Sequence, residues 1–349
     1  LIRWFYVYFY RRVCGILYSH ETIADIYKNT GEGVWLRYLI TGGSGYLGSR
    51  VLEQLAALKN TESVVNADIV VPEFRPANSG YRQVDVRDGN AIARAIAEER
   101  PDVLIHMAFV LDPTRDEPEM YDVNVNGTFN VLAAASAYGV ERVYTTTATM
   151  AYGPWPSNPV PIDESQPVHG HARYMYARHA AEADRIAQLW ATLHRQRLMT
   201  IIRPCTVFGP GAENHLVRMW DSQSFFPDFG TGDQPTQFMH VDDAVSGIVG
   251  LVNSAQPGAF NLTPDGEITW HQCAAAAGVE VRPVREESFT GLASGMWKLK
   301  MPGVEIPPSF VDFFKYPYLA TNARLKQAVP TWQPQHSSAQ VFQAQMAAR

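Results

Sequence analysis

Residues 41–48 read TGGSGYLG, and the way that octet folds decides the architecture of the chain. It is preceded by RYLI, residues 37–40, an apolar run that fits a buried strand. It is followed by SRVLEQLAAL, residues 49–58, where Val51, Leu52, Leu55 and Leu58 recur at helical spacing. Gly42, Gly45 and Gly48 therefore fall at a strand-to-helix junction, where the turn must be tight. Missing side chains let backbone N–H groups approach an anion, and the helix N-terminus adds partial positive charge.

The alternation continues outward from this turn. SVVNADIVV, DVLIHMAF, ERVYTTTA and LMTIIRP read as nearly continuous apolar strands. GNAIARAIAEERP, NVNGTFNVLAAASAYG and YARHAAEADRIAQLWATLH read as the helices between them. Strands of this kind, alternating with helices, predict a parallel sheet covered on both faces. Beyond Gly209 short strands, prolines and aromatics take over, the pattern of a smaller domain over the carboxyl ends of the sheet. The expected class is α/β, a Rossmann-type doubly wound parallel sheet with a smaller C-terminal substrate-binding domain. The expected boundaries are an extension over 1–36, a dinucleotide-binding domain over 37–205 and a mainly substrate-binding part over 206–349. Within the last, about 238–262 returns to the sheet.

Composition narrows the class. The chain has 349 residues and a net charge of −6 with no long run of either sign, which argues against nucleic acid as a partner. Cys14, Cys205 and Cys273 are few and far apart, fitting neither a disulfide framework nor a zinc cluster; they suit a reducing cytoplasm. Residues 1–18, LIRWFYVYFYRRVCGILY, mix aromatics with three arginines. The longest uncharged run, Trp4 to Tyr10, is far short of the roughly 20 residues that span a bilayer. Nor does the stretch look like a signal peptide. It reads as an extension packed on the body, a peripheral membrane contact or a misplaced start.

Asp68 stands twenty residues past Gly48, at the end of the second expected strand. A carboxylate there accepts hydrogen bonds from the adenosine ribose and repels a 2′-phosphate, so the expected cofactor is NAD rather than NADP.

Seven blocks in order, from about Arg37 to Gln335, resemble an extended short-chain dehydrogenase/reductase of the NAD-dependent epimerase/dehydratase type. TGGSGYLG is similar to that family's glycine turn, placing Tyr46 and Leu47 with the glycines at the cofactor. VDVRD, with Asp85 and Val86, resembles the adenine-contacting segment. HMAF sets Met107, Ala108 and Phe109 along the cofactor, and NVNGT puts Asn124 on the family's structural asparagine, counted here among the site residues. AYGP, RPCTVFGPG and FMHVDDA match three further blocks. The resemblance implies hydride transfer between nicotinamide and a substrate carbon while a tyrosine moves the hydroxyl proton. A lysine one helical turn on lowers that tyrosine's pKa from about 10 and holds the ribose.

That lysine is missing. In RYMYARHAAE, residues 173–182, one register aligns Tyr176 with the tyrosine and Ala180 with the lysine. The other pairs Tyr174 with Arg178, whose flat guanidinium is no conservative substitute for an ammonium. The surrounding residues favour Tyr176, and Arg178 or His179 stands as a substitute for the lost charge. In TTTATMAYG the partner hydroxyl falls to Thr147 if one residue is inserted; without an insertion Ala148 occupies the place and the role is empty, and Thr149 is a third candidate. Asn214, His215 and Arg218 are the candidates for the substrate's far half. His169, His171 and His179 lack the companions of a metal site, and none is expected. Trp220, Phe225, Phe226 and Phe229 read first as core.

The implied function is that of an NAD-dependent epimerase, dehydratase or dehydrogenase acting on a small hydroxylated substrate, with a nucleotide sugar as the expected class. The alternatives are a catalytically impaired NAD-binding protein and a carbonyl- or steroid-type reductase. The family's pairing through two long helices implies a homodimer.

Overall fold

The computed structural model describes residues 35–114, 116–301, 304 and 306–348. The stretch 1–18, with its membrane reading, lies outside them, as does Cys14.

Seven strands make the central sheet: β1 (Leu36–Thr41), β2 (Thr61–Asp68), β3 (Ser79–Gln83), β4 (Val103–His106), β5 (Arg142–Thr146), β6 (Leu198–Pro204) and β7 (Gly258–Leu262). Their spatial order is β7-β6-β5-β4-β1-β2-β3. Every neighbouring pair is parallel. Five helices cover it: α1 (Tyr46–Ala56), α2 (Gly89–Glu99), α3 (Gly127–Ala137), α4 (Met175–Leu193) and α5 (Val241–Ser254).

The two-residue period of a strand explains why both faces are apolar. In β1, Tyr38 and Ile40 point to one face, where they pack with Val51 and Leu55 of α1 and Val245 and Ile248 of α5. Leu39 points to the other, against Ile92 and Ile96 of α2, Val131 of α3 and Ala187 and Trp190 of α4. Parallel strands buried on both sides must read as unbroken apolar runs, as these do.

Chain order reverses between β1 and β4, which opens a crevice at their carboxyl ends. Beyond it a third cluster of Trp220, Phe226, Trp270, Phe310, Phe313 and Phe342 holds the C-terminal segments together. Trp220 stacks on both Phe226 and Trp270, so these rings are core.

Ahead of α3, Asp122–Asn126 forms a single π-helical turn. Such a bulge re-aims side chains. Here Asn124 faces inward, accepting from the Val110 N–H at 2.6 Å and donating to the Val110 carbonyl at 3.0 Å. The loop that leaves β4 is thereby fixed.

Candidate active site

The crevice comprises two adjoining cavities of about 470 and 440 Å³ that share Gly42, Gly45, Met107, Phe109 and Val110. Each residue expected to meet the cofactor lines one or both of them.

The glycine turn is dictated by steric limits. Gly42 has φ +74°, and a Cβ there would sit 2.5 Å from the Ala108 nitrogen; one on Gly48 would sit 2.1 Å from the Gly42 carbonyl oxygen. Gly45 meets only the Gly42 oxygen, at 3.3 Å, and is the N-cap of α1 with no side-chain cap. The helix N-terminus is left to an anion, the arrangement a pyrophosphate needs. Asp68 lies in the first cavity, its carboxylate accepting from the Ser44 N–H at 2.9 Å and the Val70 N–H at 3.0 Å. A carboxylate offers about four acceptor sites, so two remain for ribose hydroxyls. Ser44 and Asn66, which donates to the Ser44 hydroxyl at 2.9 Å, complete this corner. Sequence reading missed both, since neither belongs to the glycine pattern. Asp85 is paired with Arg87 at 2.7 Å, and both line the first cavity. The residues present fit a dinucleotide at its adenosine and pyrophosphate halves.

The other half departs from expectation. Tyr176, in the first turn of α4, lines the second cavity with its ring edge-on to Phe109 at 5.7 Å. Burial pushes its phenol well above the ordinary range. Ala180, one turn on, is fully buried in the core. Arg178 does not replace the lysine: its guanidinium turns outward to the Glu117 carboxylate and the Ala172 carbonyl. His179 is buried edge-on to Tyr121, and burial lowers its pKa, so it brings no charge at neutral pH. Its Nε2 lies 3.8 Å from Glu117, too long for a hydrogen bond. Tyr174 is the N-cap rather than a member of α4. It packs on Phe310 and Phe313, away from the cavity lining.

Thr147 lines the second cavity, but its hydroxyl is engaged behind the wall. Its hydroxyl donates to Asp184 at 3.0 Å, and Asp184 is bound through both oxygens by Arg203 at 2.8 Å. Arg203 also reaches the Tyr152 hydroxyl at 2.7 Å, so a buried polar network lies behind the strand end. Thr149 lines neither cavity, and Ala148 stands at the wall where a hydroxyl was expected. The Thr146 hydroxyl, also on the wall, donates to the His106 carbonyl at 3.3 Å. Asn124 acts through Val110 and does not reach the cavities.

Asn214 and His215 do line the second cavity. Asn214 caps the helix His215–Ser222 through the Leu216 and Val217 N–H groups. His215 Nδ1 lies 3.1 Å from Asp112, a residue sequence reading missed. Arg218 is bound to the same carboxylate at 2.6 Å and does not line the cavity. His171 pairs with Asp312 at 3.0 Å.

A doubly wound sheet with a glycine turn at its switch point, an acid at the end of β2 and a tyrosine facing the second cavity defines a dinucleotide-dependent oxidoreductase scaffold. The model of the NAD dependent epimerase/dehydratase family matches residues 38–263, and the chain belongs to that family, with NAD as its cofactor. It is 28% identical over 300 residues to short-chain dehydrogenase/reductase family 42E member 1 of Danio rerio, covering 80% of this chain and 72% of the relative. It is 34% identical over 172 residues, 49% of each chain, to an Escherichia coli N-acetyl-α-D-glucosaminyl-diphospho-ditrans,octacis-undecaprenol 4-epimerase. The structure of a Thermus thermophilus UDP-glucose 4-epimerase in complex with NAD superposes with a TM-score of 0.67 at 21% identity, covering 89% of this chain and 98% of that one. Among the described residues no helix is long and apolar enough to cross a membrane.

Proposed function

We propose that the chain is an oxidoreductase of the epimerase/dehydratase type that works at a hydroxyl-bearing carbon, with nucleotide sugars as its substrate class. The substrate class rests on the names of the relatives. When bound, NAD accepts or returns a hydride at its nicotinamide ring.

The observation that carries the mechanism is Tyr176 on the wall of the second cavity without a cation one turn on. A phenol whose pKa is raised by burial is a poor base and a sound hydrogen-bond donor. Tyr176 therefore holds the substrate oxygen as a donor and gives its proton when a carbonyl is reduced. In the oxidising direction it must first lose that proton. The rate of oxidation is expected to rise about tenfold per pH unit through the alkaline range, while reduction stays flat near neutrality.

The test is the absorbance of reduced nicotinamide in protein given NAD and a panel of nucleotide sugars and secondary alcohols. Tyr176→Phe is expected to abolish reduction of NAD, and Tyr174→Phe to preserve most of it. The burial of Ala180 and the outward turn of Arg178 favour a second reading, an NAD-binding protein with impaired catalysis. Tight NAD binding with no turnover on the whole panel would select it.

A homodimer is supported by Phe129 on α3, Tyr138 at its C-cap, and Leu189 and Leu193 on α4, each more than half exposed. Apolar groups on two adjacent long helices suit pairing into a four-helix bundle; a monomer mass by light scattering would defeat it. The division into a cofactor domain over 37–205 and a substrate domain over 206–349, with about 238–262 returning to the sheet, is supported by β7 pairing with β6. Free, buried Cys205 and Cys273 support a cytoplasmic setting.

A further inference from the structure

The loop leaving β4 carries a carboxylate that the hydride chemistry leaves without a role. Asp112 lines the cavity with Tyr176, and its side chain keeps 43% of its surface exposed. Three donors orient it. Oδ1 accepts from the His215 N–H at 3.0 Å and lies 3.1 Å from His215 Nδ1, while Oδ2 accepts from Arg218 at 2.6 Å. The far nitrogen of His215 lies 3.4 Å from the buried Tyr174 hydroxyl, so the imidazole is braced from behind. The loop itself is braced by Asn124 on Val110, two residues away.

A carboxylate has about four acceptor sites. Three are filled, and one on Oδ2 is left. The bonds from His215 and Arg218 lower the Asp112 pKa, which keeps the group ionised at any physiological pH. A rigid, ionised acceptor with one site left and an exposed edge is suited to a hydroxyl donor. It is unsuited to phosphate. Among the described residues lining this cavity there is no lysine or arginine, whereas Asp112 and Glu213 supply two carboxylates. Phe109, Leu111, Met150 and Leu216 make the remaining wall apolar, which suits the C–H faces of a ring.

We propose that Asp112, positioned by His215 and Arg218, selects the substrate by accepting a hydrogen bond from one of its hydroxyl groups. The neutral, hydroxyl-bearing end of the substrate lies beside Asp112 in this cavity, and the substrate's own phosphates lie away from that carboxylate. The inference rests on the reading of the chain as acting on a hydroxylated substrate.

The test is calorimetric binding to the NAD-loaded protein of UDP-glucose, its monodeoxy analogues and UDP alone, with wild type and Asp112→Asn. One deoxy analogue is expected to bind wild type about tenfold to a hundredfold more weakly than UDP-glucose, since a hydrogen bond to a charged group is lost. That penalty should shrink in Asp112→Asn to that of a neutral hydrogen bond, about tenfold or less, with UDP and NAD affinities unchanged, the signature of a direct pair in a double-mutant cycle. Deoxy analogues that all bind wild type like UDP-glucose overturn the proposal without any variant. So does equal weakening of UDP and UDP-glucose in Asp112→Asn, which would put the phosphates at this carboxylate. Failure of UDP-glucose to bind while NAD binds overturns the glycosyl assignment. Binding with the expected pattern but no turnover leaves the inference standing and removes the catalytic reading instead.

Discussion

The two halves of the crevice have been held to different standards. Around the adenosine and pyrophosphate, the demands are met by backbone: positive φ at Gly42, a close approach at Gly48 and an uncapped helix N-terminus at Gly45. Around the reacting carbon, the demands fall on side chains, and there Ala180, Ala148 and the diverted Thr147 depart from the family pattern. The difference is physical. The glycine turn is also the packing between β1, β4 and α1, so changing it damages the fold. On the reading proposed for Tyr176, a lysine at position 180 would serve chemistry alone, and the alanine found there is buried in the core.

The largest effect should test where this division stops, because behind the reacting half lies one structural demand. Asp184→Ala would leave the Arg203 guanidinium buried without its carboxylate, and breaking such a pair costs about 3–5 kcal/mol. Urea unfolding is expected to show it. A loss below about 1 kcal/mol would mean that the network is not structural. Next comes Gly42→Ala. Left-handed strain of roughly 1–2 kcal/mol adds to overpacking of about 1–3 kcal/mol against Ala108. Both stability and NAD affinity should fall. If NAD affinity alone fell, the glycine would serve the ligand and not the packing.

How far each half could be read from sequence follows the same line. β1, α1 and the glycine turn were legible because a continuous apolar run, helical spacing and the absence of Cβ are local properties. Asp112 was not legible. Its role comes from His215 and Arg218, 103 and 106 residues away, meeting it across the crevice. Arg203 and Asp184 were hidden for the same reason, since their pairing joins β6 to α4. The choice between Tyr174 and Tyr176 turned on where α4 begins. Tyr174 is the N-cap and packs on Phe310 and Phe313 while Arg178 turns to Glu117, contacts that a count of four residues does not reveal. The direction of Arg178 depended on a partner, Glu117, that no local pattern points to.

A smaller effect would sharpen the comparison by reversing one departure. Ala180→Lys places an ammonium one turn from Tyr176, and an opposite charge within a few ångströms lowers a pKa by roughly 1–3 units. Ultraviolet titration of the phenol should report that fall, at some cost in stability from burying the charge. An unchanged titration would mean that position 180 no longer faces the hydroxyl. The wild-type phenol carries its own pH signature. Its folded pKa lies above the unfolded value of about 10, so the folded state holds its proton longer. That contribution is fully present below about pH 10 and is lost as pH rises further. Urea midpoints should therefore fall above pH 10, and fall less in Tyr176→Phe.

The smallest effect belongs to the half that follows the rules. We propose that Asp68 carries the choice between NAD and its 2′-phosphorylated form, although half its acceptor capacity goes to the Ser44 and Val70 amides. The two amides bind separate oxygens, so Asp68→Asn keeps an acceptor for one of them and loses the other bond. It also removes the charge. NAD affinity is expected to fall about fivefold to tenfold, less than for a fully buried charged bond, because water reaches this site. Affinity for NADP should rise as the repulsion of its phosphate disappears, narrowing the preference from both directions. Competition titration of the two cofactors on wild type and variant measures this directly. If wild type already binds NADP more tightly than NAD, Asp68 serves the glycine turn through Ser44, and cofactor choice is made elsewhere in the first cavity.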